Sequence, residues 1–186
     1  MNEKNICFYH DDTDGRMSAA IVKGNVLDCK FVEMKYGFDE NEFFKKYIVS
    51  QTYDKVFVVD FSFCEEFMVA LGIKSNEFIW CDHHKSAMEK YPLLWNNELK
   101  QKTQFNIDIK GLRSLDKSGC RLIWEYFNSP QYEYISIPYA VELIEDFDLW
   151  IFKYGEKTHY LLEAIVFEDN LNVFQYLLSN YSYMES

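Results

Sequence analysis

The sequence contains no run approaching the roughly 18 consecutive apolar residues that a membrane-spanning helix needs. Its opening, MNEKNICFYH, lacks the apolar stretch of a secretory signal. The expectation is a cytoplasmic chain with no membrane partner. Cysteine pairing is also missing: Cys7, Cys29, Cys64, Cys81 and Cys120 are odd in number and scattered, with no CxxC. That pattern argues against a disulfide framework or a cysteine-held structural zinc and leaves buried free thiols. Basic residues are scarce, since 19 Lys and Arg face 30 Asp and Glu for a formal net charge of -11. With no Lys/Arg-rich run to track a phosphate backbone, a long nucleic-acid duplex is not an expected partner. A small phosphorylated ligand is still compatible with this charge, because bound divalent cations reverse the sign of the local field. No internal repeat, low-complexity tract or Pro/Gly/Ser-rich linker divides the chain.

What is present is apolar and aromatic. Hydrophobic residues make up 48% of the 186 positions, with 16 Phe and 14 Tyr, enough for the core of a single domain over 1–186. Short β-branched and aromatic runs alternate with longer amphipathic stretches, the mark of βαβ units. Strands are expected over Ile6–Tyr9, Lys30–Met34, Lys55–Val59, Phe78–Cys81 and Phe105–Ile109. Helical spacing marks Ser18–Val26, Asp39–Val49 and Phe63–Leu71 between them. Beyond Lys117 only helices are expected: Gly119–Phe127, Tyr139–Phe147, Thr158–Phe167 and Asn170–Leu178. The polar stretch Asn96–Gln104 and the segment around Asn128–Pro130 and Pro138 are expected connections. The class is therefore α/β: a mostly parallel five-stranded sheet flanked by helices (1–117), followed by a helical C-terminal cap (118–186).

Three constellations carry chemistry. The first is His10-Asp11-Asp12-Thr13-Asp14-Gly15, between the first strand and the first helix. In an extended segment His10, Asp12 and Asp14 share a face, and Gly15 lets the chain turn. Clustered Asp residues also make solvated turns and helix caps, but the leading His suits a borderline divalent ion such as Mn²⁺. The second is Asp60, an acid ending the apolar run Val56–Val59, where a cap for the next helix is the plainer alternative. The third is Asp82-His83-His84, which places two of only four histidines after an apolar strand. Adjacent histidines preceded by Asp fit a satisfied core histidine poorly, and open α/β sheets bind ligands at that edge. His159 has no such neighbours and reads as a surface or packing residue.

Order and spacing of these motifs resemble the DHH phosphoesterase superfamily: HxDxDG at His10–Gly15, a strand-end acid at Asp60, the DHH triplet at Asp82–His84, a small-residue helix start at Ser118-Gly119-Cys120, and acids at Asp146 and Asp148. The superfamily includes RecJ-type exonucleases, nanoRNases, cyclic-dinucleotide phosphodiesterases, exopolyphosphatases and family II pyrophosphatases. The resemblance implies two divalent ions, Mn²⁺ first, with Mg²⁺ or Co²⁺ as substitutes. It implies His10 and Asp12 on one ion, Asp14 and His83 on the other, and Asp60 between them. Asp146 completes the second site, with Asp148 in reserve. His84 is implied to face the substrate phosphate and Asp82 to orient a neighbouring imidazole, so that Asp60, Asp82 and His84 are the implied catalytic set. A metal-bridging hydroxide is the implied nucleophile. Arg16, Lys85 and the helix start at Ser118 are candidates for holding phosphate.

Many superfamily members carry a second domain with a glycine-rich, histidine-containing motif, and no GGGH-like run occurs here. Substrate selection is then expected from the helical cap, from a homo-oligomer partner, or from a shallow open site. Trp124, Tyr132, Tyr134, Trp150 and Tyr154 are candidates for stacking on a base, although core packing is the favoured account of any one of them. The expected function is hydrolysis of phosphodiester bonds in small nucleotides, either short oligoribonucleotides or cyclic dinucleotides. The alternatives are a pyrophosphatase or exopolyphosphatase and a non-catalytic metal-containing binding module.

Overall fold

The computed structural model describes residues 4–98, 107–128 and 136–180. The strands are β1 (Asn5–His10), β2 (Cys29–Met34), β3 (Tyr53–Val59), β4 (Ser75–Cys81) and β5 (Ile109–Lys110). All pair in parallel, in the order β2-β1-β3-β4-β5. Nine α-helices are described: α1 (Thr13–Asn25), α2 (Glu40–Phe43), α3 (Glu65–Ile73), α4 (Lys85–Lys90), α5 (Pro92–Trp95), α6 (Gly119–Asn128), α7 (Tyr139–Asp148), α8 (Glu156–Ile165) and α9 (Leu171–Asn180). No described helix is long and apolar enough to cross a membrane.

The carboxyl-terminal stretches of β3 and β4 and most of β1 are buried on both faces, so those stretches are apolar and residue parity sorts two cores. Cys7, Tyr9, Phe57, Val59, Ile79 and Cys81 face one side, against α1 and the C-terminal helices. Ile6, Phe8, Val56, Val58, Phe78 and Trp80 face the other, against Phe43, Tyr47, Met68 and Leu71. Such runs are what a parallel sheet covered on both sides requires. Phe8 sits amid Phe43, Tyr47 and Phe63, with ring centroids 5.2–5.3 Å away.

Several boundaries differ from the pattern-based expectation. Helix α1 starts at Thr13 rather than Ser18 because Asp12 caps it, accepting from Gly15 N at 2.9 Å. The stretch expected as one helix over Asp39–Val49 is a short α-turn followed by a π-helix over Phe44–Val49. The fifth strand is reduced to Ile109–Lys110, with residues 105 and 106 of the expected strand outside the described residues. Most of the expected 96–104 connection is also outside them.

Register fixes where function can sit. Tyr9 pairs with Val59, and Val59 with Cys81, so His10, Asp60 and Asp82 emerge together at the carboxyl edge. In a sheet of this order the connections depart in opposite directions between β1 and β3, opening a crevice at that edge.

Candidate metal centre

Each side chain of the site is delivered by the end of an element. His10 ends β1, and Asp12 and Asp14 lie at the cap and first turn of α1. His10 and Asp12 come together, whereas the helix turn carries Asp14 to a separate group with His83 and Asp148. Gly15 is needed because a Cβ there would strike the His10 backbone. Asp60 follows β3 with a left-handed backbone, φ 52°, and its N-H donates to Cys81 O at 2.9 Å. Asp82, His83 and His84 follow β4, and Asp148 ends α7.

Three overlapping sets of potential ligand atoms result: His10, Asp12 and Asp60; Asp60, His83 and His84; Asp14, His83 and Asp148. Within each set the atoms lie within 4.8 Å of one another. Asp60 joins the first two sets and His83 the last two. His83 Nε2 is 3.1 Å from Asp60 Oδ1, 3.5 Å from Asp148 Oδ2 and 3.8 Å from Asp14 Oδ2. His10 Nδ1 is 2.6 Å from Asp12 Oδ2 and 4.0 Å from Asp60 Oδ2.

The electrostatics of the cluster suit a cation. Asp60 is 1% exposed, and among the described residues no donor makes a well-formed hydrogen bond to either of its oxygens. Burial, then the charges of Asp14 and Asp12, push its carboxyl well above the usual range. Asp148 is pushed up to about 8 by burial and by Asp14 and Asp12, and its Oδ2 is also buried without a hydrogen bond. Burial lowers His83, leaving its imidazole neutral at pH 7 with a lone pair to give. Repelling carboxylates, orphaned oxygens and a neutral imidazole fit divalent cations, whose charge would remove each of these penalties.

The surrounding groups are arranged around this cluster. Asp82 is fully buried; its Oδ1 accepts from His83 N at 2.9 Å and lies 2.7 Å from His84 Nδ1. Burial alone would lower His84, but the hydrogen bond and charge of Asp82 outweigh it and raise its pKa. Asp82 is thus positioned to orient the His84 imidazole. Asp14 accepts from Gly119 N at 2.7 Å and Cys120 N at 2.8 Å, at the start of α6. Glycine is required at 119 because a Cβ would lie 2.5 Å from Asp60 Cβ.

Several expected roles change. Asp146 is not in the cluster: its carboxylate accepts from Lys153 N (2.8 Å), Tyr154 N (3.3 Å) and the Thr158 hydroxyl (2.6 Å). It ties α7 to α8, and Asp148 takes the place beside Asp14 and His83. Ser118 is fully buried at the N-terminus of α6, its Oγ accepting from Arg121 N, and so cannot meet a substrate. The first N-H groups of that helix go to Asp14 rather than to phosphate. Lys85 is exposed and pairs with Glu89 at 3.5 Å, apart from the cluster. Arg16 pairs with Glu33 at 3.2 Å and lines a cleft of about 310 Å³ with Asp11, Asp12, Asp14, Phe147 and Asp148. Tyr36 was not anticipated: it stacks on Phe61 at 4.6 Å and lies 5.4 Å from the His10 ring and 6.5 Å from that of His84. Its place two residues beyond the carboxyl end of β2 is the one signal that could have marked it.

No family model matches the chain. It is 29% identical over 126 residues to the uncharacterized protein R106 of Acanthamoeba polyphaga mimivirus, covering 66% of this chain and 25% of that protein. An uncharacterized protein from Helicobacter pylori G27 shares the fold, with a TM-score of 0.55 and 13% identity, covering 95% of this chain and 61% of that one. The chain therefore spans a quarter of the viral relative's length and under two thirds of the bacterial one's.

Proposed function

We propose that the protein is a two-metal phosphoesterase, Mn²⁺-dependent, that hydrolyses phosphodiester bonds of small nucleotides. The observation that carries this reading is the continuous chain of ligand sets through Asp60 and His83, which offers two adjoining cation positions at the crevice of a parallel sheet. Two divalent ions at such a spacing would supply a hydroxide near neutral pH and neutralise charge on the phosphoryl oxygens. His10, Asp12 and Asp60 would hold one, and Asp14, His83 and Asp148 the other, with Asp60 close to both. His84, its Nδ1 engaged by Asp82, keeps Nε2 for the phosphoryl group and can hold a proton because Asp82 raises its pKa. The resemblance in motif order supplies the reaction class, and the acid-histidine geometry is consistent with it.

A pyrophosphatase is the weaker reading. Of the cleft's lining residues Arg16 alone is basic, while Ile144, Phe147 and Val166 give it an apolar side suited to an organic ester. The test is Mn²⁺-dependent hydrolysis of dinucleotides, cyclic dinucleotides, bis-p-nitrophenyl phosphate and pyrophosphate by wild type and Asp60→Ala. Diester cleavage by wild type alone, falling at least about a hundredfold in the variant, is the expected result. Cleavage of pyrophosphate alone would replace the substrate class, and no turnover of any compound with Mn²⁺ bound would leave a binding module.

A further inference from the structure

The loop after Asp148 has an unusual backbone. Trp150 and Phe152 both lie in the left-handed region, at φ 56° and 54°, where bulky side chains are rarely found. Asp146 holds them there: its carbonyl accepts from Ile151 N at 2.9 Å and Phe152 N at 3.3 Å, while its carboxylate takes Lys153 N and Tyr154 N. Conformations of this kind persist where the surroundings over-determine them and cluster at ligand sites. What the loop displays is aromatic. Trp150 is 76% exposed, and its ring is nearly parallel to that of Phe147, at 20° and 6.3 Å between centroids. Phe147 in turn lines the cleft that contains Asp12, Asp14 and Asp148.

We infer that Phe147 and Trp150 form a stacking subsite for the planar base of a nucleotide whose phosphate is held at the neighbouring acid-histidine cluster. The inference rests on the proposed function for the phosphate end, and the aromatic end stands on its own geometry. The occupant follows from continuity: one cleft of about 310 Å³ joins three candidate ligands to the Phe147 ring, a size suited to a single nucleotide unit. An exposed aromatic beside such a cleft gives base affinity without sequence preference, since every base has a π-face. Asp146 is then a positioning residue that acts through the loop.

The experiment is equilibrium binding of adenosine 5′-monophosphate and of ribose 5-phosphate to the full chain with Mn²⁺, by calorimetry, for wild type, Trp150→Ala and Trp150→Phe. Wild type is expected to bind the nucleotide at least about tenfold more tightly than the sugar phosphate, the worth of one base stack. Trp150→Ala should lose most of that preference and leave ribose 5-phosphate affinity unchanged, while Trp150→Phe should retain it. Equal affinity for the two ligands in wild type, or a preference untouched by Trp150→Ala, would overturn the subsite. So would a change of sedimentation in Trp150→Ala, which would make the patch a contact between copies of the chain. Trp150 is exposed, so unfolding is not the expected cost of its removal, and circular dichroism checks this. A base preference without diester hydrolysis would sink the proposed reaction and keep the subsite; hydrolysis without a base preference would do the reverse.

Discussion

Asp14 and Asp148 approach the same imidazole from opposite kinds of helix end. Asp14 sits in the first turn of α1 and accepts two N-H groups from the first turn of α6, so two helix N-termini favour its negative charge. Asp148 stands at the C-terminal end of α7, where the peptide dipoles disfavour a carboxylate, and its inner oxygen is buried without a donor. Asp14 therefore presents a charge that is preorganised without a cation, unlike its neighbour Asp60, whose buried oxygens have no donor among the described residues. The helical half presents one that is stable as an anion only beside a cation. Acids of one site can thus differ in how strongly they depend on the ion: Asp14 is held by backbone donors, whereas Asp148, like Asp60, has a buried oxygen left to the ion.

The sharpest way to break this comparison is to remove the two acids of α7 separately. Asp148→Ala should weaken Mn²⁺ binding by at least about a hundredfold, more than loss of an outer partner, and leave the metal-free melting temperature unchanged or raised. Asp146→Ala should do the opposite to stability. It strands a buried hydroxyl and two backbone N-H groups, costing about 2 to 4 kcal/mol and roughly 10 °C in melting temperature. Calorimetric titration and thermal melts of the metal-free variants decide the matter; a large affinity loss without destabilisation in Asp146→Ala would return that residue to the ligand set.

Asp82→Asn tests the strand-end half. The variant keeps an oxygen to accept from His83 N but removes the charge that outweighs burial at His84. Hydrolysis should fall about ten- to hundredfold, the usual consequence of losing a partner that orients an imidazole. The limb of the pH-rate profile that reports His84 should also move to lower pH. A profile of unchanged shape would mean that Asp82 serves packing alone.

The strand-end residues were legible in the sequence because a parallel strand announces itself as an apolar run and its carboxyl end is where the chain leaves the sheet. His10 and Asp60 follow such a run directly, and His83 follows one at the second position, after Asp82. The choice between Asp146 and Asp148 was not legible. Both end one helix, and the outcome depends on the 149–154 loop folding back onto Asp146 and on Thr158, twelve residues further on. No local pattern encodes that tertiary arrangement. Ser118 was misread for a related reason: a helix N-terminus reads as an anion site, and here the anion is the chain's own Asp14. Ile144 and Asp148 both line the cleft and lie four residues apart on α7, a shared face that becomes evident only once the cleft is known.

The smallest effect expected is a pH dependence of the metal-free protein that saturating metal cancels. A carboxyl pushed up to about 8 in the folded state binds its proton more tightly than in the unfolded chain, where it ionises near 4. The folded state then holds more protons across that interval, so its stability falls as pH rises toward 8. His10, raised by the Asp12 hydrogen bond, and His84 act in the same direction above 6.5, whereas the lowered His83 opposes them below it. Between pH 6.5 and 8 the metal-free stability should therefore decline, by up to about 1.4 kcal/mol per unit for each such proton, and the melting temperature with it. With saturating Mn²⁺ the cation replaces those protons, and the stabilisation it adds should grow over the same interval, about tenfold in affinity per unit for each proton released. Asp148→Asn should flatten the metal-free slope. A metal-free curve that rises with pH, or a slope indifferent to that substitution, would mean that Asp148 is ionised without a cation and that the two ends of the site do not differ.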